Sequence, residues 1–81
     1  MTIRVRLFAV LRDRAGLGEA MLELTNGATV FEAVAALQLR FPGLAADRLK
    51  VAFAVNSSYV PVDHILQAGD ELALIPPVSG G

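Results

Sequence analysis

The sequence contains no cysteine. Without a thiol the chain forms no disulfide, holds no metal through thiolates and has no cysteine nucleophile. Its single histidine, His64, follows Asp63, but this pair lacks the further ligands or the nucleophile that a metal centre or an acid–base site needs. We therefore interpret the two residues as part of a turn and expect no metal site.

Long apolar runs are also missing. Charged residues such as Arg12, Glu23 and Arg40 interrupt every stretch that approaches the roughly 18 residues of a membrane-spanning helix. The opening residues MTIR lack the charged segment, apolar stretch and cleavage site of a secretory signal. We expect a protein of the cytoplasm that does not associate with membranes.

Neither positive nor negative charge dominates, since seven basic and eight acidic residues give a net charge of −1. Arginines cluster near the start of the chain, but this overall balance is not the electrostatic footprint of a nucleic-acid-binding protein. We expect no nucleic-acid partner and interpret the arginines as a solvated or partner-facing rim.

The chain is short and apolar, with 81 residues of which 54% are hydrophobic. A chain of this length forms one domain and buries only about 60 to 65% of its unfolded surface. The composition therefore suggests that apolar surface is left over for a partner.

Alternation of apolar and polar residues at every second position predicts four strands, over residues 2–8, 19–24, 51–55 and 69–75. A short fifth strand at Tyr59 and Val60 is confined to a sheet edge, because the following Pro61 cannot donate a ladder hydrogen bond. Residues 9–15 can turn helically between the first two strands.

One main helix is predicted from residue 30 to residue 41. Thr29 and Glu32 fit a capping box at its start, and Pro42-Gly43 ends it. One apolar stripe follows the helical period, formed by Val30, Ala33, Val34, Leu37 and Phe41. Strands and helix can bury their apolar faces by packing as two layers. This predicts an α+β fold of the β-grasp type, a mixed sheet of about five strands covered on one face by one helix. We assign residues 1–75 to this domain and residues 76–81 to an extended tail.

The tail leaves the last strand through Pro76 and Pro77, whose fixed φ angles favour an extended path, and continues through Val78 and Ser79. It ends in Gly80 and Gly81. A diglycine end lacks side chains and can thread a narrow channel to present its carboxylate. That carboxylate is ionised at neutral pH and is a poor electrophile, so its use implies activation by another enzyme. Adenylation with ATP, followed by displacement of AMP by a persulfide, would lead to a thiocarboxylate on Gly81, which requires no cysteine in this chain.

Three segments carry a resemblance to a known family, residues 5–12 (VRLFAVLR), residues 54–56 (AVN) and residues 69–81 (GDELALIPPVSGG). In these segments the chain resembles the small, sulfur-carrying subunits of molybdopterin synthase, which have a ubiquitin-like fold. Members often carry phenylalanine late in the last strand, where this chain has Leu74 and Ile75.

The resemblance implies that an adenylyltransferase related to ubiquitin-activating enzymes acylates Gly81 and that a sulfurtransferase donates the sulfur. The tail would then enter the large synthase subunit and donate sulfur to cyclic pyranopterin monophosphate, within a heterotetramer of two small and two large subunits. By the same resemblance this chain binds no cofactor and is not catalytic alone; ATP is used by the activating partner.

The phase of the strands predicts a partner surface. Phe8 and Ile75 are out of register with the core residues of their strands and should lie on the sheet face that the helix leaves open. With Tyr59, Pro76 and Pro77 they would form an apolar patch beside the tail, rimmed by Arg12. The alternative is that Phe8 or Tyr59 merely closes the end of the core.

Two other functions remain open from the sequence. A terminal diglycine and its activation are shared with sulfur carriers that serve thiamine synthesis or tRNA thiolation. A ubiquitin-like modifier, conjugated to target lysines through Gly81, is the alternative from a different class. Lys50 is the only lysine of the chain and would be the one side-chain branch point for polymers.

Overall fold

The computed structural model describes residues 1–44 and 51–77 of the chain. The elements follow one another as β1 (Thr2–Leu7), α1 (Ala9–Ala15), β2 (Glu19–Glu23), α2 (Val30–Arg40), a 3₁₀ turn (Pro42–Leu44), β3 (Ala52–Val55), β4 (Ser58–Val60) and β5 (Glu71–Ile75). The strands and the main helix predicted from the sequence are confirmed, with ends that differ by one or two residues. No helix among the described residues has the length and apolar character to cross a membrane.

The strands form one mixed sheet in the order β2-β1-β5-β3-β4. The first and last strands pair in parallel, with Val5 opposite Leu72, while the other three pairings are antiparallel. The short β4 lies at an edge, where Pro61 can follow it without removing a ladder hydrogen bond. This is the predicted β-grasp arrangement, and it places β5 at the centre of the sheet.

The core lies between one face of the sheet and α2. Ile3 and Val5 of β1 and Leu72 of β5 are fully buried, and Val30 and Leu37 of α2 pack in the same cluster. The expected stripe of α2 is confirmed at Val30, Ala33 and Leu37, whereas Val34 and Phe41 are partly buried at its margin.

The start of α2 is held by two kinds of cap. The Thr29 hydroxyl accepts from the Glu32 N–H at 3.2 Å, and the Glu32 carboxylate accepts from the Thr29 N–H at 3.0 Å, which completes the predicted capping box. In addition, the N–H groups of Val30 and Phe31 donate to the carbonyls of His64 and Val62. The helix therefore begins with its first N–H groups satisfied by the loop that follows β4.

A polar network joins the β3–β4 turn to the start of β5. The Asn56 amide donates to the Asp70 carboxylate at 2.9 Å and its oxygen accepts from the Glu71 N–H at 3.0 Å. The other carboxylate oxygen of Asp70 accepts from the Gln67 N–H at 2.8 Å. Asn56 and Ser57 both have positive φ angles, so the turn is a tight one of the kind that joins antiparallel strands.

Candidate functional site

The sheet face that α2 leaves uncovered carries the residues predicted to contact a partner. Phe8 follows Leu7 of β1, and Ile75 follows Leu74 of β5; since Leu7 and Leu74 are opposite each other, Phe8 and Ile75 lie level on neighbouring parallel strands. Phe8 is exposed and Ile75 half-buried. The prediction that both residues lie away from the core is confirmed, because their inward neighbours Leu7 and Leu74 are buried.

Tyr59 lies on the same face and is 74% exposed. Four residues form a row across the sheet, in the order Tyr59 of β4, Ala54 of β3, Ala73 of β5 and Arg6 of β1. Neighbouring strands are about 4.8 Å apart, so Tyr59 is separated from β5 by one strand that carries only alanines on this face. In this row the open face therefore carries two small alanine side chains between the larger side chains of Tyr59 and Arg6. We call Phe8, Tyr59 and Ile75 the open-face patch.

Charged side chains of both signs lie on the open face on the β1 side, where Arg4 pairs with Glu19 at 3.6 Å and with Glu71 at 4.0 Å. The Arg6 guanidinium stands 5.4 Å from the centre of the Phe8 ring, a cation–π distance. Arg12 is exposed on α1, and its stem approaches Gly18 so closely that a Cβ there would lie 3.0 Å from the Arg12 Cδ. Arg6 was not among the interface residues predicted from the sequence; its place in the alternation, on the same face as Phe8, is the signal that could have identified it.

The tail begins at the same end of the sheet. Pro76 is half-buried and Pro77 exposed, and both follow Ile75 at the end of β5. The remaining tail residues predicted to act, Val78, Ser79, Gly80 and Gly81, lie outside the residues that the structure describes, as does Lys50. The geometry therefore fixes where the tail starts, one residue from the open-face patch.

The pair Asp63 and His64 lies in the loop after β4. The His64 N–H donates to the Pro61 carbonyl at 3.1 Å, and its own carbonyl accepts from Val30 at 3.0 Å, so this residue contributes to the turn through its backbone. Among residues 1–44 and 51–77 no group of three or more histidine or acidic side chains is placed to hold a metal ion.

Residues 5–81 match the ThiS family. The chain belongs to the ThiS family. Among curated relatives of this ThiS-family chain, the molybdopterin synthase sulfur carrier subunit of Chlamydomonas reinhardtii is 41% identical over 83 residues and is covered completely, as is this chain. The subunit of the same name from Arabidopsis thaliana is 40% identical, over 98% of this chain and 82% of its own.

Solved structures agree with the fold of the ThiS-family chain. SAMP1 of Haloferax volcanii superposes with a TM-score of 0.92 at 31% identity, with both chains covered completely. A chain in the BexX/CysO complex of Amycolatopsis orientalis has a TM-score of 0.74 at 27% identity, over 98% of this chain and 99% of its own. The ubiquitin-like fold that the sequence predicted is confirmed, and chains of this fold occur in complexes with a second protein.

Proposed function

We propose that the chain is the sulfur carrier subunit of a molybdopterin synthase. The observation that carries the proposal is the end-to-end match to subunits of that name, at 40 and 41% identity. The tail supports it, because the family match extends to residue 81 and the tail begins at the end of the central strand.

The chemistry proposed for the tail needs no side chain of this protein. An adenylyltransferase transfers AMP from ATP to the Gly81 carboxylate and releases pyrophosphate. A persulfide of a sulfurtransferase attacks the acyl carbon and expels AMP, which leaves an acyl disulfide. A thiol reduces this disulfide and frees the thiocarboxylate. The absence of cysteine in the chain suits this scheme, since no internal thiol competes for the activated carbonyl.

A large synthase subunit is the partner proposed for the open-face patch. The name "subunit" in the relatives implies a second protein, and the patch lies at the end of the sheet from which the tail leaves. Docking on Phe8 and Ile75 would hold the body of the carrier while the tail enters the partner and donates sulfur to cyclic pyranopterin monophosphate. The patch and the reactive end would then be recognised together.

The test is the intact mass of the protein after incubation with an activating enzyme, ATP and a persulfide donor, followed by reduction. We expect the increase that corresponds to one oxygen replaced by sulfur, and loss of that sulfur when a large subunit and cyclic pyranopterin monophosphate are added. The control is a chain extended by one alanine after Gly81, which should fold equally and gain no sulfur. An unchanged mass of the native chain in all conditions contradicts the proposal.

A modifier function is the second candidate, because the chain superposes so closely on SAMP1, and related solved chains are named small archaeal modifier proteins. In that case Gly81 forms isopeptide bonds with lysines of other proteins. Trypsin digestion of proteins purified with the chain would reveal such bonds as branched peptides. Transfer of sulfur to a thiamine precursor or a tRNA instead of the pterin would identify a carrier of another pathway.

A further inference from the structure

One edge of the sheet is β2, which within the described chain pairs with β1 alone. Just beyond this strand, Leu24 exchanges two backbone bonds with Met1, at 2.6 and 2.8 Å. Just before it, the Gly18 carbonyl accepts from the Leu7 N–H at 2.9 Å. Bonded residues alternate in an antiparallel ladder, so the even-numbered residues of β2 direct their N–H and C=O groups at β1. The odd-numbered residues direct theirs away from the sheet, and we call these groups of Glu19, Met21 and Glu23 the free edge.

The free edge is a template on which another strand can pair. Donors and acceptors at every second residue match the bonding pattern of any extended backbone. The opposite edge of the sheet, β4, offers less. Its two-residue turn makes Val55 and Ser58 a bonded pair, so within this strand only Tyr59 directs backbone groups outward. Pro61, which has no N–H, then ends the edge. The sheet therefore extends most readily at β2.

The middle of the free edge is occupied by a side chain of the protein itself. The guanidinium of Arg40, the last residue of α2, donates from Nη1 to the Met21 carbonyl at 2.8 Å. It also stands 5.1 Å from the centre of the Phe41 ring, a cation–π distance. Phe41 is in turn packed against the core. Two contacts therefore hold the guanidinium of Arg40 at the edge.

The strand that matches the free edge is β2 of a second copy, because two antiparallel copies related by a twofold axis present the same groups to each other. Met21 opposite Met21 would place Glu19 opposite Glu23 twice, and like charges directly opposite are unfavourable. A register shifted by two residues places Met21 opposite Glu23 and avoids this contact, while every side chain keeps its face. Both registers use the Met21 carbonyl, so the Arg40 bond obstructs each of them.

We propose that Arg40 closes the free edge against β2 of a second copy and so prevents the chain from dimerising through this strand. A second strand can pair only after the guanidinium has left the Met21 carbonyl and the Phe41 ring. The carbonyl then exchanges a charge-assisted bond for a neutral one, which is the weaker of the two. A side chain from α2 takes this part because residues 17–26 contain no proline that would protect the strand from within.

The experiment is sedimentation velocity of the full chain and of Arg40→Ala, over about 10 µM to 1 mM protein, a range that covers weak dissociation constants. We expect Arg40→Ala to form dimers and to associate at least about tenfold more tightly than the native chain, as the loss of a bond to a charged group implies. The matched control is Arg14→Ala, which removes an exposed arginine from the last turn of α1 and should behave like the native chain. Circular dichroism and thermal unfolding establish that each variant is folded.

A second change shows whether the dimer forms at the free edge. Met21→Pro removes an N–H that points away from β1, so the ladder between β1 and β2 keeps its bonds. The double variant of Arg40→Ala with Met21→Pro should therefore be folded and monomeric. Amide exchange followed by NMR gives the same answer without the proline. In Arg40→Ala the Met21 N–H should exchange several-fold more slowly as the protein concentration rises, whereas in the native chain its rate should not depend on concentration.

Several results would show that Arg40 does not have this role. One is an Arg40→Ala chain that stays monomeric up to about 1 mM. Another is association that leaves the exchange of the Met21 N–H unchanged, or that persists in the folded double variant, since the contact would then lie elsewhere. Equal association of Arg14→Ala would reduce the effect to charge alone. Slower exchange of the Met21 N–H in the native chain at high concentration would show that the edge is not closed.

Discussion

At the scale of single residues, Thr29 gives the clearest test of how α2 begins. Its hydroxyl accepts from the Glu32 N–H, and its own N–H is bound by the Glu32 carboxylate. Thr29→Ala removes the first of these bonds and should lower the free energy of unfolding by about 1 kcal/mol. Urea unfolding followed by circular dichroism measures this change. Thr25→Ala, at an exposed position four residues earlier, is the matched control and should change stability by less than about 0.5 kcal/mol.

Gly43 is required for a different reason, namely space. A Cβ at this position would lie 2.7 Å from the carbonyl oxygen of Arg14, at the end of α1. Gly43→Ala should therefore separate the 3₁₀ turn from α1 and cost about 1 to 3 kcal/mol, the usual range for overpacking. Thermal unfolding is the measurement. Equal stability of the variant would show that α1 can move without cost.

Gly16 provides the comparison for Gly43, since its φ is +82° and a Cβ at this position would meet nothing within 4 Å. Gly16→Ala should cost about 1 kcal/mol through backbone strain alone. Gly16→Asn should recover part of that loss, because asparagine tolerates the left-handed region better than alanine. No such recovery is expected for Gly43→Asn, where the obstacle is the Arg14 carbonyl.

At the scale of elements, Asn56 joins the β3–β4 turn to β5. It has a φ of +50° and makes side-chain bonds to Asp70 and to the Glu71 N–H. Asn56→Ala should lower stability by about 2 to 3 kcal/mol, since it loses two hydrogen bonds and strains the turn. Asn56→Gly loses the bonds but relieves the strain, so it should be the milder variant in the same urea experiment. The reverse order would contradict this assignment of the turn.

The elements also show what sequence reasoning could and could not reach. Strand alternation placed Phe8 and Ile75 on the correct face, because a period of two leaves no other choice once Leu7 and Leu74 are inward. The capping box followed from Thr29 and Glu32 being three residues apart. The support of α2 by the carbonyls of Val62 and His64 was not predictable, because backbone bonds between segments about thirty residues apart leave no mark on residue type.

The alternation was less informative for β3. Ala54 belongs to the uncovered face, yet it is only 6% exposed, while Ala52 on the same face is exposed. A short side chain between Tyr59 and Ala73 is covered by its neighbours whatever the face. The exposure of Phe31 was not predicted, because this residue lies next to the buried stripe of α2 and outside it; an aromatic residue off the stripe was the available signal.

At the scale of the whole molecule, the domain and the tail should be separable. The described core involves no residue beyond Leu74, and the proposed chemistry involves Gly81. Deletion of Gly80 and Gly81 should leave the thermal midpoint within about 2 °C of the native value, since a loss of well under 1 kcal/mol moves a domain of this size by only a few degrees. The same deletion should abolish thiocarboxylate formation completely, as read by intact mass. A large loss of stability would show that the tail packs on the domain.

The position of β5 has a mechanical consequence. This strand is bonded to β1 on one side and β3 on the other, and its last residue leads directly into the tail. A pull on the tail therefore acts along the strand and loads both ladders in shear, so that many hydrogen bonds must break at once before the strand can slip. An edge strand would instead be peeled away one bond at a time. In the proposed function, in which the tail enters a channel of a partner, the tail is thus tethered to a strand that is bonded on both sides.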